Sequence, residues 1–570
     1  MSFTLSLDSL GLVAASLQKF RVPEIINCAL GDKTATNSGV DYGTLASAML
    51  LQLTDIPFQG LWGVQEYYIR RPVALLLDPK VQVEELNRYA LARCLDKIHD
   101  FGPVRLYLMV AAYIAEVMGV NITELHCDST SFHYDGETRE ELNCLLQAKM
   151  GYSRDHRPDL NQFILLMLVE PEIGLPVFAK ALSGNISDKT SFLEVCEKDA
   201  ALIKKQFQEL SYFIGDSASC TSKIFDALHE KQLFIVTRVP DNLAEAKACF
   251  AYADAHAKDF VELEHEQRND AYSALWYPEG TLFGYPVKML VVKNESLQHT
   301  KDKRFRRLAS QEQEQLNKKL KKLWTRPAKC ELDAQKNLDE IRATCKLTTI
   351  VVDDTVKNMG YSHRGHPKPG EQQVVKSVGI KAHAEINDSA VADLVRQSLK
   401  FVIATTDVKR DWSMYELKAA YSRQSLVERD WRLSKNPKFF IDAFFLSKPS
   451  RINALLWLLS IAILVFVATG HMIDKVCREN NIEVPNPDLS SRKADTKLTF
   501  ERVRQYFFNH HISIRVQDDL SIEVDNMTAV HKRIVEALGH DWSRMYDADY
   551  IKKTLSNHLV VKGPHILIRA

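Results

Sequence analysis

Across residues 5–102 apolar positions recur at helical spacing between short polar breaks, most clearly over 42–53 and 81–98. This pattern predicts a helical N-terminal domain over 1–110. A further helix carries Leu106, Met109, Ala112, Ile114 and Met118, and the period changes at Asn121. From there the chain reads as a strand over 122–128 ending in Asp128, a hairpin over 163–169 and 176–182, and a helix over 189–210. A strand over 212–215 then ends at Asp216, followed by a helix over 219–230 and a strand over 233–237. An aspartate thus closes the first and fourth strands of a block over 111–240. Residues 241–409 are largely strand-like (285–292, 348–352, 374–381 and 401–404), with one basic helix over 301–322. A long amphipathic helix over 413–433 returns afterwards, so 241–409 is expected to be a β-rich insertion and 410–478 the second part of the interrupted fold. The charged stretch 479–570 carries no usable motif and is expected to serve contacts between protomers.

Composition narrows the class without naming it. A chain of 570 residues exceeds what one hydrophobic core supports. With 46% apolar and 26% charged residues it reads as ordinary globular material, neither disordered nor polytopic in a membrane. The 73 basic and 73 acidic side chains cancel, so any nucleic-acid footprint must be local. Ten scattered cysteines without a C-x-x-C pair, and no leader pattern at the start, point to the reducing cytoplasm.

An acidic side chain on a buried strand is costly unless a cation or donors neutralise it. Either aspartate alone reads as a strand-end turn or a helix cap. Two of them at the ends of neighbouring strands suggest a shared charge. Hard oxygen donors select magnesium or manganese, and a pair of such ions suits phosphoryl transfer.

The helix after the insertion reads Tyr421-Ser-Arg423-Gln424-Ser-Leu-Val-Glu428-Arg-Asp-Trp-Arg432-Leu-Ser-Lys435. It resembles the Y-x2-R-x3-E-x6-K signature of DDE transposases from bacterial insertion sequences, with Gln424 at the arginine position and Arg423 and Arg432 close by. Residues 151–159, 234–240 and 401–406 resemble the same family, and the helical N-terminal part is similar to a domain that precedes the catalytic core in a subset of it.

The resemblance implies an α/β ribonuclease H-like core, a mixed sheet with flanking helices interrupted by the insertion. It implies Asp128, Asp216 and Glu428 as catalytic and metal-binding residues, with two Mg2+ ions for which Mn2+ substitutes. The implied activity is cleavage and transfer of DNA strands at terminal inverted repeats, by a homodimer on DNA in the bacterial cytoplasm and at the nucleoid. The N-terminal domain is expected to bind DNA ends. Steps of three, four and seven place Tyr421, Gln424, Glu428 and Lys435 on one helical face. With Arg423 and Arg432, Tyr421, Gln424 and Lys435 become candidate DNA contacts. The other reading of these residues is a DNA-binding protein derived from a transposase that no longer cuts.

Two further segments bear on partners. Lys318, Lys319, Lys321 and Lys322 close the basic helix that Lys301, Lys303, Arg304, Arg306 and Arg307 open. A solvated face and a phosphate-contacting element both fit this pattern. Residues 452–472 contain no formally charged side chain and are long enough to span a bilayer. Because they directly follow a helix that must meet DNA, they are expected to form a core helix, with no membrane as partner. Arg364-Gly-His366-Pro-Lys368 reads as a loop.

Overall fold

The computed structural model describes residues 3–31, 39–55, 63–134, 138–142, 144–151, 159–263, 271–363, 365–367, 369–423, 446–485, 498–517, 519–556, 559–562 and 565–568. The chain divides into two compact units, one of Met1–Thr237 with Ala419–Ala570, the other of Arg238–Lys418.

The first unit opens with strand β1 (Phe3–Ser6) and a set of apolar helices. Asp41 caps the Tyr42–Thr54 helix by accepting from the Thr44 amide at 2.7 Å, and every residue of that helix is buried. The Arg88–Phe101 and Pro103–Met118 helices meet at 90°. Gly102 supplies the positive φ of 103° at the corner, and Pro103 opens the second helix where its missing N–H is harmless.

Strands β2 (Glu124–His133), β3 (Lys149–Met150), β4 (Asn161–Glu170), β5 (Leu175–Ser183), β6 (Tyr212–Gly215) and β7 (Phe234–Val239) form a mixed sheet. The long strands run in the order β5-β4-β2-β6-β7, with β3 sharing the β5 edge of β4. β4 is antiparallel to both neighbours, whereas β2, β6 and β7 are mutually parallel. β4 is buried along nearly its whole length, which explains its unbroken apolar run. Glu170 ends it by accepting the amides of Glu172 and Ile173, which forms the tight turn of the hairpin.

The apolar run at 452–472 lies within the Pro449–Glu479 helix, whose most apolar window is 94% buried. It packs against β5 and the Tyr42–Thr54, Arg88–Phe101 and Pro103–Met118 helices, so its length and apolarity are those of a core helix. The N-terminus of this helix is held from a distance: Glu141 accepts from the Ser450 amide and hydroxyl, each at 2.9 Å.

The C-terminal stretch folds onto the N-terminal helices. β14 (Ser513–Val516) pairs with β1 and with β15 (Ile522–Asp525), and Trp542 donates its indole N–H to Ser16 Oγ at 3.1 Å.

In the second unit β8 (Val261–Glu262), β9 (Tyr272–Leu282), β10 (Tyr285–Asn294) and β13 (Lys400–Thr405) pair antiparallel in that order. β11 (Thr348–Gly360) and β12 (Val374–Ile386) form a separate two-stranded ribbon. The sequence suggested one helix here, and the described residues hold four: Ala244–Ala255, Gln298–Thr325, Glu331–Arg342 and Asp388–Ser398. The extra helices escape a periodicity reading because Glu331–Arg342 buries only Ala334 and Leu338, and Asp388–Ser398 only Val391 and Val395. His363 and His366 are exposed in the loop between β11 and β12.

Candidate active site

β2 and β6 share a short parallel register: Glu124 beside Tyr212, Leu125 beside Phe213, His126 beside Ile214. Two residues further along each chain stand Asp128 and Asp216. Asp128 does not close its strand, contrary to the sequence expectation. β2 continues to His133 because β4 pairs with it throughout, with Asp128 opposite Met167 and His133 opposite Gln162. Only the neighbour on the other side stops, since β6 ends at Gly215. Asp128 therefore sits where β2 loses its parallel partner and keeps its antiparallel one. This is a fork in the sheet rather than a strand end.

Asp216 occupies the first position beyond β6. Its carboxylate accepts from the Ala218 amide at 2.9 Å and caps the Ser217–Ser219 turn. Its main-chain carbonyl accepts from the buried Thr237 hydroxyl on β7 at 2.8 Å. The side chain is exposed. Gly215 before it is required by close approach, since a Cβ there would lie 2.1 Å from Ser219 Oγ.

At the start of β2, Glu124 accepts from Arg423 Nη1 at 2.6 Å. This ion pair joins the strand carrying Asp128 to the residue just after the Met414–Ser422 helix, which carries Tyr421. Burial alone would raise the Glu124 pKa, but His126 and Arg423 outweigh it and hold the carboxyl below its ordinary range. His126 is fully buried, and neither ring nitrogen has a hydrogen-bond partner among the described residues. Burial, with Arg423 adding to it, pulls its pKa down against the attraction of Glu124.

Tyr421 is half-buried, and Gln424, Glu428, Arg432 and Lys435 lie outside the described residues. The backbone of Asp128 is described and its side chain is not. Among the described residues no three His, Cys, Asp or Glu side chains gather as a metal-binding group. Lys318, Lys319, Lys321 and Lys322 belong to the second unit and are all exposed on the Gln298–Thr325 helix. Glu124, Gly215 and Thr237 were not singled out by the sequence. The one available signal was an acidic residue opening a strand that is apolar in its next position.

A family model described as a transposase DDE domain matches residues 124–465, more than half of the chain. A domain of unknown function (DUF4277) matches residues 2–112. No curated protein matches the chain. Among solved structures it is similar to the piggyBac transposase synaptic complex with hairpin DNA, determined by cryo-electron microscopy. That match has 10% identity and a TM-score of 0.35 over 98% of this chain and 85% of the other, a likeness too loose to carry an argument.

Proposed function

Because this chain belongs to the DDE transposase family, we propose that it binds the terminal inverted repeats of an insertion sequence and cleaves and transfers DNA strands through Asp128, Asp216 and Glu428. The observation that carries this reading is the β2–β6 register, which brings both chains to an aspartate two residues beyond the same pair, His126 and Ile214. In a ribonuclease H-like core such a fork is where a third carboxylate, from the helix after the insertion, completes the set.

The donor chemistry fits a divalent cation: carboxylate oxygens are hard ligands, and Asp216 is exposed at its turn. Asp128, Asp216 and Glu428 would hold two magnesium ions, with manganese as substitute. When bound, such ions activate an attacking oxygen and stabilise a leaving one in phosphodiester chemistry. Water forms the new bond to phosphorus in the first reaction as the P–O3′ bond breaks and frees a 3′-hydroxyl. In the second that hydroxyl forms the bond to a target phosphorus while the target's own P–O3′ bond breaks, and the departing 3′ oxygen takes up the proton that the attacking hydroxyl gives up.

The chain's own part is to hold the carboxylates rigid. The Thr237 hydroxyl and the Ser217–Ser219 turn fix the direction of Asp216. Arg423, engaged with Glu124, ties the start of the signature segment to β2. Tyr421, Arg423, Gln424, Arg432 and Lys435 are the proposed phosphate and sugar contacts. Pairing of two DNA ends calls for a homodimer, the 1–110 domain binds the ends, and the work is done in the bacterial cytoplasm. The competing reading is a DNA-binding derivative that no longer cuts.

Asp128→Asn, Asp216→Asn and Glu428→Gln each test the proposal. Each abolishes magnesium-dependent cleavage of a duplex bearing the element's end while leaving its binding intact. Full cleavage by any one variant removes that residue from the site, and absence of cleavage by the unaltered chain favours the inactive derivative.

A further inference from the structure

The Gln298–Thr325 helix has nine basic and three acidic residues, and its two faces are sharply different. Ala309, Leu316 and Leu320 are buried. Leu316 and Leu320 pack with Ala334, Leu338, Val378, Ile380 and Ala384, and Ala309 with Leu347, Val391 and Val395. Polar side chains on the inner flank lock the helix down. Gln313 donates to the Ala384 carbonyl at 2.8 Å, and Asn317 accepts from its amide at 2.8 Å. Glu312 accepts from the Lys346 and Leu347 amides and the Thr348 hydroxyl. Two of the three acidic residues are thereby committed, Glu312 to the backbone and Asp302 to Arg306.

On the opposite face, steps of one, three and four bring Lys303, Arg304 and Arg307 together at one end and Lys318, Lys321 and Lys322 at the other. All six are exposed. Among the described residues none of the six makes an ion pair or side-chain hydrogen bond, whereas Arg306, at the flank, is paired with Asp302 and Asp388. Lys319 is exposed but also turned to the flank. Between the two triads the outward positions are Gln311, Glu314 and Gln315.

We propose, resting on the reading that DNA is the partner, that this outer face lies across the major groove of duplex DNA, each basic triad on one phosphate backbone. From Arg307 to Lys318 the helix advances about 16 Å at its usual rise, and a major groove of about 12 Å separates two lines of phosphate. The interval carries amide and carboxylate groups suited to base edges rather than the apolar anchors a protein partner would need. A rigid, 28-residue helix seated along its inner face keeps the two triads at a fixed spacing.

The test is binding of the full chain to a mixed-sequence duplex, followed by fluorescence anisotropy over a range of salt concentrations. Lys303→Gln/Arg304→Gln/Arg307→Gln and Lys318→Gln/Lys321→Gln/Lys322→Gln are compared with a control triple at exposed lysines elsewhere in the same unit, Lys258→Gln/Lys329→Gln/Lys336→Gln. Each helix triple lowers the slope of log affinity against log salt by about 2 to 3, as loss of three phosphate contacts requires, and the control leaves it unchanged. Unchanged slopes in both helix triples overturn the proposal, as does an equal drop in the control. So does a change confined to oligomeric state, which would make this face a contact between copies of the chain. Failure of the catalytic reading shows in cleavage by the unaltered chain, and failure of this one in the salt dependence of the two helix triples, so the two outcomes are distinguishable.

Discussion

Thr237 donates its buried hydroxyl to the main-chain carbonyl of Asp216 at 2.8 Å, bridging the first residue beyond β6 to the neighbouring strand β7. The same carbonyl also accepts from the Ser219 amide at 3.1 Å, so one lost donor does not orphan it. Thr237→Val is expected to cost about 1 kcal/mol of stability, read by thermal denaturation. Strand cleavage falls more steeply than stability because the carboxylate loses its fixed direction, and Thr237→Ser restores both. Equal cleavage by the Val variant would separate this bond from catalysis.

Gly215 is held to glycine by Ser219. A Cβ at 215 would meet Ser219 Oγ at 2.1 Å and Ser219 Cβ at 2.7 Å, so Gly215→Ala must displace the turn that Asp216 caps. Overpacking of this kind typically costs about 1–3 kcal/mol. The double variant Gly215→Ala/Ser219→Gly removes the obstructing atoms and is expected to recover most of the lost melting temperature. No recovery would place the strain elsewhere.

Asp96 anchors the first turn of the Pro449–Glu479 helix, accepting from Arg451 Nε and Nη2 at 2.9 and 2.8 Å and from Lys448 at 3.1 Å. Burial alone would raise its pKa, and Arg451 and Lys448 outweigh that and lower it. A depressed carboxyl adds stability above its unfolded pKa and loses it as pH falls through the folded value. Asp96→Asn is therefore expected to cost about 1–2 kcal/mol near neutrality. The difference from the unaltered chain shrinks in acid below the ordinary aspartate range, as urea titrations at stepped pH would show.

Asp8 has the opposite sign. Burial first, and then Asp55, raise its pKa to about 7 against the pull of Arg71, and its Oδ1 has no hydrogen-bond partner among the described residues. A carboxyl that binds its proton more tightly folded than unfolded gives stability that declines as pH rises through that interval. Its backbone φ of 43° is in the left-handed region that asparagine tolerates. Asp8→Asn is expected to leave the melting temperature unchanged near about pH 4 and to raise it near about pH 8. A lower melting temperature at the higher pH would contradict the assignment.

The parts of this fold that the sequence makes legible are those with a local cause. The β4–β5 hairpin announces itself by two apolar runs around Glu170, and the turn at Asp216 by an acidic capping side chain after a short strand. The core helix after the signature segment is legible from its apolar length. The position of Asp128 within β2 was not legible, because it depends on one neighbour outlasting the other, and strand length at a fork is set by partners far away in the chain. The Arg423–Glu124 pair spans 299 positions and the Trp542–Ser16 bond 526, and such contacts leave no periodic trace. Of the site itself, residue types at strand ends pointed to the two aspartates, the resemblance to the transposase signature added Glu428, and the backbone register aligns the chain segments that carry the first two. Glu428 lies outside the described residues.

The central claim is a divalent-cation site shared by Asp128 and Asp216. It is tested most directly by titrating the full chain with Mn2+ and following free metal by electron paramagnetic resonance. The account predicts that Asp128→Asn and Asp216→Asn each remove the same high-affinity binding, and that the double variant loses nothing more. Retention of full binding by either single variant, or two separate losses that add in the double variant, would contradict it.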